Sequence, residues 1–178
     1  MTKKEGYTLL ILMVAVSILS IGLLIAIPVW QTQIQREKEE ELIFRGKQYV
    51  EAIRIYQLKN PGSFPRTLEE LVEEKCLRKL FSDPMTEHGE WNIILLTGRV
   101  ARQRRQQRQS SPQRVLVAPL KALSSIDNPR IIGVVSSSTK KSIRIYFEQD
   151  TYDKWLFFYG QDPRKMPDII FYAKREKD

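Results

Sequence analysis

Histidine and cysteine are almost missing from this sequence, with one of each in 178 residues. A single cysteine, Cys76, excludes a disulfide within the chain. A single histidine, His88, excludes the paired imidazoles or thiolates of a zinc site and lies in the polar run Thr86-Glu87-His88-Gly89-Glu90, as a loop residue. It is not spaced to serve as base for Ser136-Ser137-Ser138, which reads as a turn. Neither a phosphate-binding loop nor a dinucleotide-binding glycine pattern occurs. No catalytic residues are expected, the chain is not expected to be an enzyme, and Cys76 is read as a small buried hydrophobe.

Two further absences are local. Tyr7 to Trp30 holds no charged residue, and residues 99–114 hold no acid but six arginines. Removing those six from the formal charge of +8 leaves +2, so the basicity belongs to one segment and is not a general affinity for polyanions. That segment, rich in Arg, Gln and Ser without apolar periodicity, reads as an exposed mobile insertion. Arg102, Arg104, Arg105 and Arg108 are its candidate anion contacts. No aromatic is interleaved with them, which argues against a stacking platform for single strands, and nucleic acid is not an expected partner.

The uncharged run of 24 residues would span about 36 Å as a helix, against a bilayer core of about 30 Å. Lys3 and Lys4 precede it and an acid-rich stretch follows, which predicts an N-terminus in the cytoplasm and a single pass of the bacterial inner membrane, with the remaining domain periplasmic. The run is too long for a cleaved secretory signal. A plain signal anchor fits the hydropathy equally well.

The punctuation around the run resembles that of type IV prepilins. A short basic leader ends in Gly6, and Gly6-Tyr7-Thr8-Leu9-Leu10 is similar to the family's cleavage signature. The resemblance implies cleavage by a prepilin peptidase between Gly6 and Tyr7 and N-methylation of Tyr7. It also implies a filament core built from Leu9, Leu10, Ile11, Val14, Ile18, Gly22 and Pro28, with Pro28 and Gly22 loosening the helix. Most members carry glutamate where this chain has Ile11, which points to a minor or divergent subunit or to a different assembly contact.

Beyond Trp30, Ile34, Leu42, Tyr49, Ile53 and Tyr56 recur at helical spacing until Asn60-Pro61-Gly62, predicting a helix from Tyr7 to Lys59. The acidic run Glu37–Glu41 reads as its solvated face. Thr67 and Glu70 stand in capping-box spacing before Leu68, Leu71 and Val72. With Phe64, Pro65, Leu68, Glu69, Glu70, Leu71, Asp83, Pro84 and the aromatic Trp91, this stretch looks like that of G-type, or major, pseudopilins of the type II secretion class. Strands are expected at Trp91–Leu96, Ile131–Val135, Ser142–Phe147 and Lys154–Tyr159. In the third, Ile143, Ile145 and Phe147 alternate against Arg144 and Tyr146, and Glu148–Asp153 follows as a connection. Residues 115–123 are left open between strand and short helix.

The expected fold is α+β: a long N-terminal helix, transmembrane in its first half, packed on a small antiparallel sheet. Its parts are a leader (1–6), a transmembrane and filament-core helix (7–30), a periplasmic helix continuation (31–59) and a globular domain (60–178) with the arginine-rich insertion (99–114). The resemblance implies a pseudopilus subunit supporting protein export. The implied partners are like subunits, the prepilin peptidase, an assembly ATPase with its platform proteins, and the membrane. No cofactor is claimed. Calcium, which G-type members often bind, would find Glu148, Asp150 and Asp153 as its nearest cluster, though the family's calcium motif is not recognisable. The rival expectations are a competence or type IV pilus minor pilin touching DNA through the arginines, and a signal-anchored periplasmic protein that never polymerises.

Overall fold

The computed structural model describes residues 3–96, 114–162 and 165–172. The chain divides into two compact units, Met1–Glu37 and Lys38–Asp178, with helix α1 (Lys3–Lys59) contributing to both. Helix formers at most positions from Gln31 to Lys59 sustain α1, and Asn60-Pro61-Gly62, with Gly62 at φ +83°, ends it. The backbone of α1 starts at Lys3, so the junction between Gly6 and Tyr7 is not marked by a break in the helix.

Among the described residues no helix is long and apolar enough to cross a membrane. This corrects the expected transmembrane half of the helix and, with it, the single-pass inner-membrane location. Thr8, Ser17, Ser20 and Gly22 dilute the apolar character of this stretch of α1.

In the second unit, α1 carries a buried stripe on which Leu42, Gly46, Tyr49, Ile53 and Tyr56 follow each other at alternating steps of four and three. It packs on one face of a five-stranded sheet of order β6-β3-β1-β2-β7. The strands are β1 (Trp91–Leu96), β2 (Arg114–Pro119), β3 (Ile131–Ser136), β6 (Phe157–Phe158) and β7 (Asp168–Phe171); β4 (Lys141–Tyr146) and β5 (Gln149–Thr151) form a separate two-stranded ribbon. Residues of β1 and β3 are buried on both sides. Ile93, Leu95, Ile131 and Val134 join the helix-side core, and Ile94, Ile132 and Val135 join a second cluster with Val115, Val117, Leu156 and Phe158.

The sheet is mixed, not antiparallel: β2 and β7 run parallel, pairing Arg114 with Asp168 through to Val117 with Phe171. The connection from β2 to β7 passes through β3 to β6, and a crossover of that length permits parallel pairing. Residues 115–123 adopt both candidate structures in turn, a strand and then a 3-10 helix at Leu120–Ser125. The aromatic stretch Lys154–Tyr159 contributes only the two-residue β6, because a 3-10 helix occupies Tyr152–Lys154.

The ribbon inverts the expected phase of Ser142–Phe147. Ile143 and Ile145 face outward and Tyr146 turns inward, against Trp155 and Phe157 at centroid distances of 5.3 and 5.5 Å. The cause is an irregular ladder. Lys141 pairs with Thr151 and Tyr146 with Gln149, so four residues of β4 face one of β5.

A short helix α2 (Glu70–Glu73) follows the loop after α1. Thr67 Oγ1 accepts the Glu70 N–H at 3.3 Å, and the Glu70 carboxylate accepts from Arg66 N at 2.7 Å and from the Tyr56 hydroxyl at 2.6 Å. The two ends of the capping-box spacing are thus tied, with the carboxylate reaching one residue further back than the motif requires. Beyond it, the Tyr49 hydroxyl donates to the Phe81 carbonyl and accepts from the Phe81 N–H, both at 2.9 Å, and Trp91 Nε1 donates to the same carbonyl at 2.8 Å. This pins the loop before β1 onto α1.

Candidate functional site

The first unit presents apolar surface without cover. Every large apolar side chain described from Tyr7 to Leu23, including Leu9, Leu10, Ile11, Val14 and Ile18, is at least 50% exposed. Apolar residues point in all directions around this stretch of α1, and a Cβ built at Gly22 would meet nothing within 4 Å. Its two hydroxyl groups turn inward, Ser17 Oγ donating to the Met13 carbonyl and Ser20 Oγ to that of Val16, both at 2.8 Å. That leaves the outer surface with few polar groups. A helix apolar on all sides is ordinarily a buried one, and exposed apolar area of this extent marks an interaction surface. Gly6 and Pro28 belong to the backbone of α1, but their surroundings lie outside the described residues. So do Arg102, Arg104, Arg105 and Arg108 of the candidate anion contact.

The second unit brings together a polar node that the sequence reading missed. Glu39, expected on a solvated face, is fully buried. Its carboxylate accepts from Ile143 N at 2.7 Å, Arg144 N at 3.2 Å and the Tyr152 hydroxyl at 2.7 Å. The irregular ladder of β4 frees those two amides from the ribbon, and Glu39 takes them up. Its neighbour Glu40 pairs with the Arg144 guanidinium at 2.5 Å, and Glu41 with Arg45 at 2.5 Å. One signal was available: Glu39 stands three residues before Leu42 and so continues the buried stripe of α1.

A second buried carboxylate, Asp83, accepts from Ser136 Oγ at 2.6 Å and Met85 N at 2.8 Å. The Ser136 oxygen in turn accepts from Ser138 N at 3.1 Å. The serines expected as a turn therefore lock the end of β3 to the loop before β1. Burial pushes the Asp83 carboxyl above its ordinary range, against the opposing pull of its hydrogen bonds and of Arg45. The folded state then holds a proton at pH values where the unfolded chain has released it. The resulting contribution to stability is fully present below the ordinary aspartate value and is lost as pH rises through the raised one. Asp83→Asn should therefore lose ground to the parent as pH falls toward about 4 and regain it toward neutrality. Thermal unfolding of both proteins across that range checks this; a difference independent of pH would refute it.

The remaining candidates stay apart. Cys76 is nearly buried in the helix-side core, and burial raises its thiol pKa, the opposite of what a reactive thiolate needs. His88 is exposed. Asp150 is paired with Lys141 at 3.5 Å, and among the described residues no group of three or more His, Cys, Asp or Glu side chains is placed to hold a metal ion. Comparison of the chain with protein-family models, with curated proteins and with solved structures finds no match.

Proposed function

We propose that this chain is a structural subunit of a filament of the type II secretion pseudopilus class, supporting protein export by polymerising and not by catalysis. The observation that carries the reading is the uncovered apolar stretch of α1. Its burial against like stretches of other subunits would remove apolar surface from water at about 25 cal/mol per Å². The Gly6-Tyr7 punctuation supports the same reading, as does the helix-on-sheet arrangement of the second unit. On this view Tyr7 becomes the methylated first residue after peptidase cleavage. Leu9, Leu10, Ile11, Val14 and Ile18 pack in the filament core, and an assembly ATPase with its platform proteins drives polymerisation.

Two measurements test it. Mass spectrometry in cells with an active prepilin peptidase should find a chain beginning at methylated Tyr7; an intact Met1 would refute the processing step. Full-length Leu10→Cys and Val14→Cys variants should form oxidative crosslinks between copies when the export apparatus is overproduced, and strictly monomeric chains would remove the filament. Ile18→Asp should lower the assembled fraction about tenfold or more, because a carboxylate without partners would be carried into an apolar contact.

A further inference from the structure

The β4–β5 ribbon stands apart from the rest of the second unit. It is not hydrogen-bonded into the five-stranded sheet, and its own ladder pairs only Lys141 with Thr151 and Tyr146 with Gln149. No residue from Lys141 to Thr151 is buried, whereas Ser138 before the ribbon and Tyr152 after it are. Tyr152 N donates to the Lys140 carbonyl at 3.4 Å, so the chain enters and leaves the ribbon at one point. The tip, Phe147-Glu148, lies at φ +47° and +63°, where Asn-Gly is the usual sequence and a bulky side chain is costly.

What lies against the ribbon is opposite in character. Glu39, Trp155 and Phe157 are fully buried. The ribbon is held on them largely through polar contacts. The Ile143 and Arg144 amides donate to the Glu39 carboxylate, Trp155 Nε1 donates to the Gln149 carbonyl at 3.1 Å, and Arg144 forms its exposed pair with Glu40. Tyr146, half-buried, packs against Trp155 and Phe157. Water would meet each of those polar groups if the ribbon lifted, so lifting exchanges hydrogen bonds instead of orphaning them. The apolar loss is confined to one tyrosine and the rings it covers. A segment with few buried apolar side chains and exposed polar contacts opens ahead of the core, and the backbone entropy it regains favours opening.

We infer that the β4–β5 ribbon is a lid that opens as a unit while the five-stranded sheet stays intact, with Glu39 as its latch. The open form presents Trp155 and Phe157 beside a bare carboxylate, a surface that the closed form hides. The Lys140–Tyr152 contact at the base of the ribbon is the hinge. The lid lies wholly within the second unit, so the inference stands independently of whether the stem polymerises.

The test is native-state hydrogen exchange of the full chain, read by NMR. After correction for intrinsic rates, the Ile143 and Arg144 amides should exchange at least about a hundredfold faster than those of Ile93 and Val134, which pair across β1 and β3. The Trp155 indole N–H should exchange together with the ribbon amides. Low urea should accelerate Ile93 and Val134 and leave the ribbon rates nearly unchanged, because lifting the lid exposes little surface. A variant in which Gly-Gly replaces Lys141–Thr151 should still unfold cooperatively and keep Ile93 and Val134 protected, while its Trp155 indole exchanges at least about tenfold faster than in the parent. Ribbon and sheet amides sharing one rate and one urea slope would overturn the inference, since the ribbon would then open only with the whole fold. So would a Trp155 indole that exchanges with the sheet amides, or an excised chain without protected sheet amides.

Discussion

Gly133→Ala should cost about 3 kcal/mol or more of stability, read from urea unfolding of the full chain, the largest effect expected of any single methyl group in this protein. Gly133 sits in β3, opposite Ile94 of β1 on one side and Phe158 of β6 on the other. A Cβ built there would lie 2.0 Å from the Phe157 carbonyl oxygen and 2.5 Å from Phe158 Cα. Both obstacles are backbone, so relief requires β6 to leave β3. That would break the ladder and the hydrogen bond from Tyr159 N to the Ile132 carbonyl. The damage would not stay local, since Phe157 packs in the helix-side core and Phe158 in the second cluster.

Gly46→Ala supplies the comparison. Its Cβ would also meet Phe157, but at the ring, 2.4 Å away. Phe157 Cγ lies on the ring's own axis, so the whole side chain must shift within the core, but that displaces one side chain and not two paired strands, and Ala gains about 1 kcal/mol over Gly inside a helix. Gly46→Ala should therefore cost clearly less than Gly133→Ala. Equal losses, or a benign Gly133→Ala, would mean that β6 is not held against β3 as described.

The parts of this fold that could be read from the sequence are those set by local periodicity. The stop of α1 at Lys59, β1 and β3 followed from helical spacing, from apolar runs and from Asn60-Pro61-Gly62. The hidden parts depend on distant partners. β7 is a four-residue segment with three apolar positions whose identity as a strand comes from pairing with β2, more than fifty positions earlier. The apolar alternation in Ser142–Phe147 does not set its burial, which follows from the irregular ladder and from Tyr146 packing against Trp155 and Phe157, neither of which periodicity encodes. A transmembrane reading of the uncharged run rested on length and hydropathy alone, and that expectation failed. The exposed residues of the stem were legible as an apolar run. The buried role of Glu39 was not, since its donors at Ile143, Arg144 and Tyr152 lie more than a hundred positions away.

Glu39→Ala should cost about 3–4 kcal/mol, though a charged side chain in the run Glu37–Glu41 would ordinarily be substituted freely. The carboxylate accepts three hydrogen bonds from donors more than a hundred residues away in the chain, at Ile143, Arg144 and Tyr152. Bonds to a charged acceptor contribute about 1.5–3 kcal/mol each when made and are not additive. Their loss deprives Tyr152, itself buried, of this acceptor. Glu39→Gln should fall between parent and Ala, because its amide oxygen still accepts while its amino group confronts donors.

The decisive measurement is a double-mutant cycle. Tyr152→Phe removes the hydroxyl, so Glu39→Ala on that background should cost at least about 1 kcal/mol less than on the parent. Hydrogen exchange at the Ile143 and Arg144 amides should accelerate in Glu39→Ala and stay near the parental rate in Tyr152→Phe. If Glu39→Ala proved nearly neutral and the cycle additive, the β4–β5 ribbon would have to be held by the Glu40–Arg144 pair and by Tyr146 packed against Trp155 and Phe157.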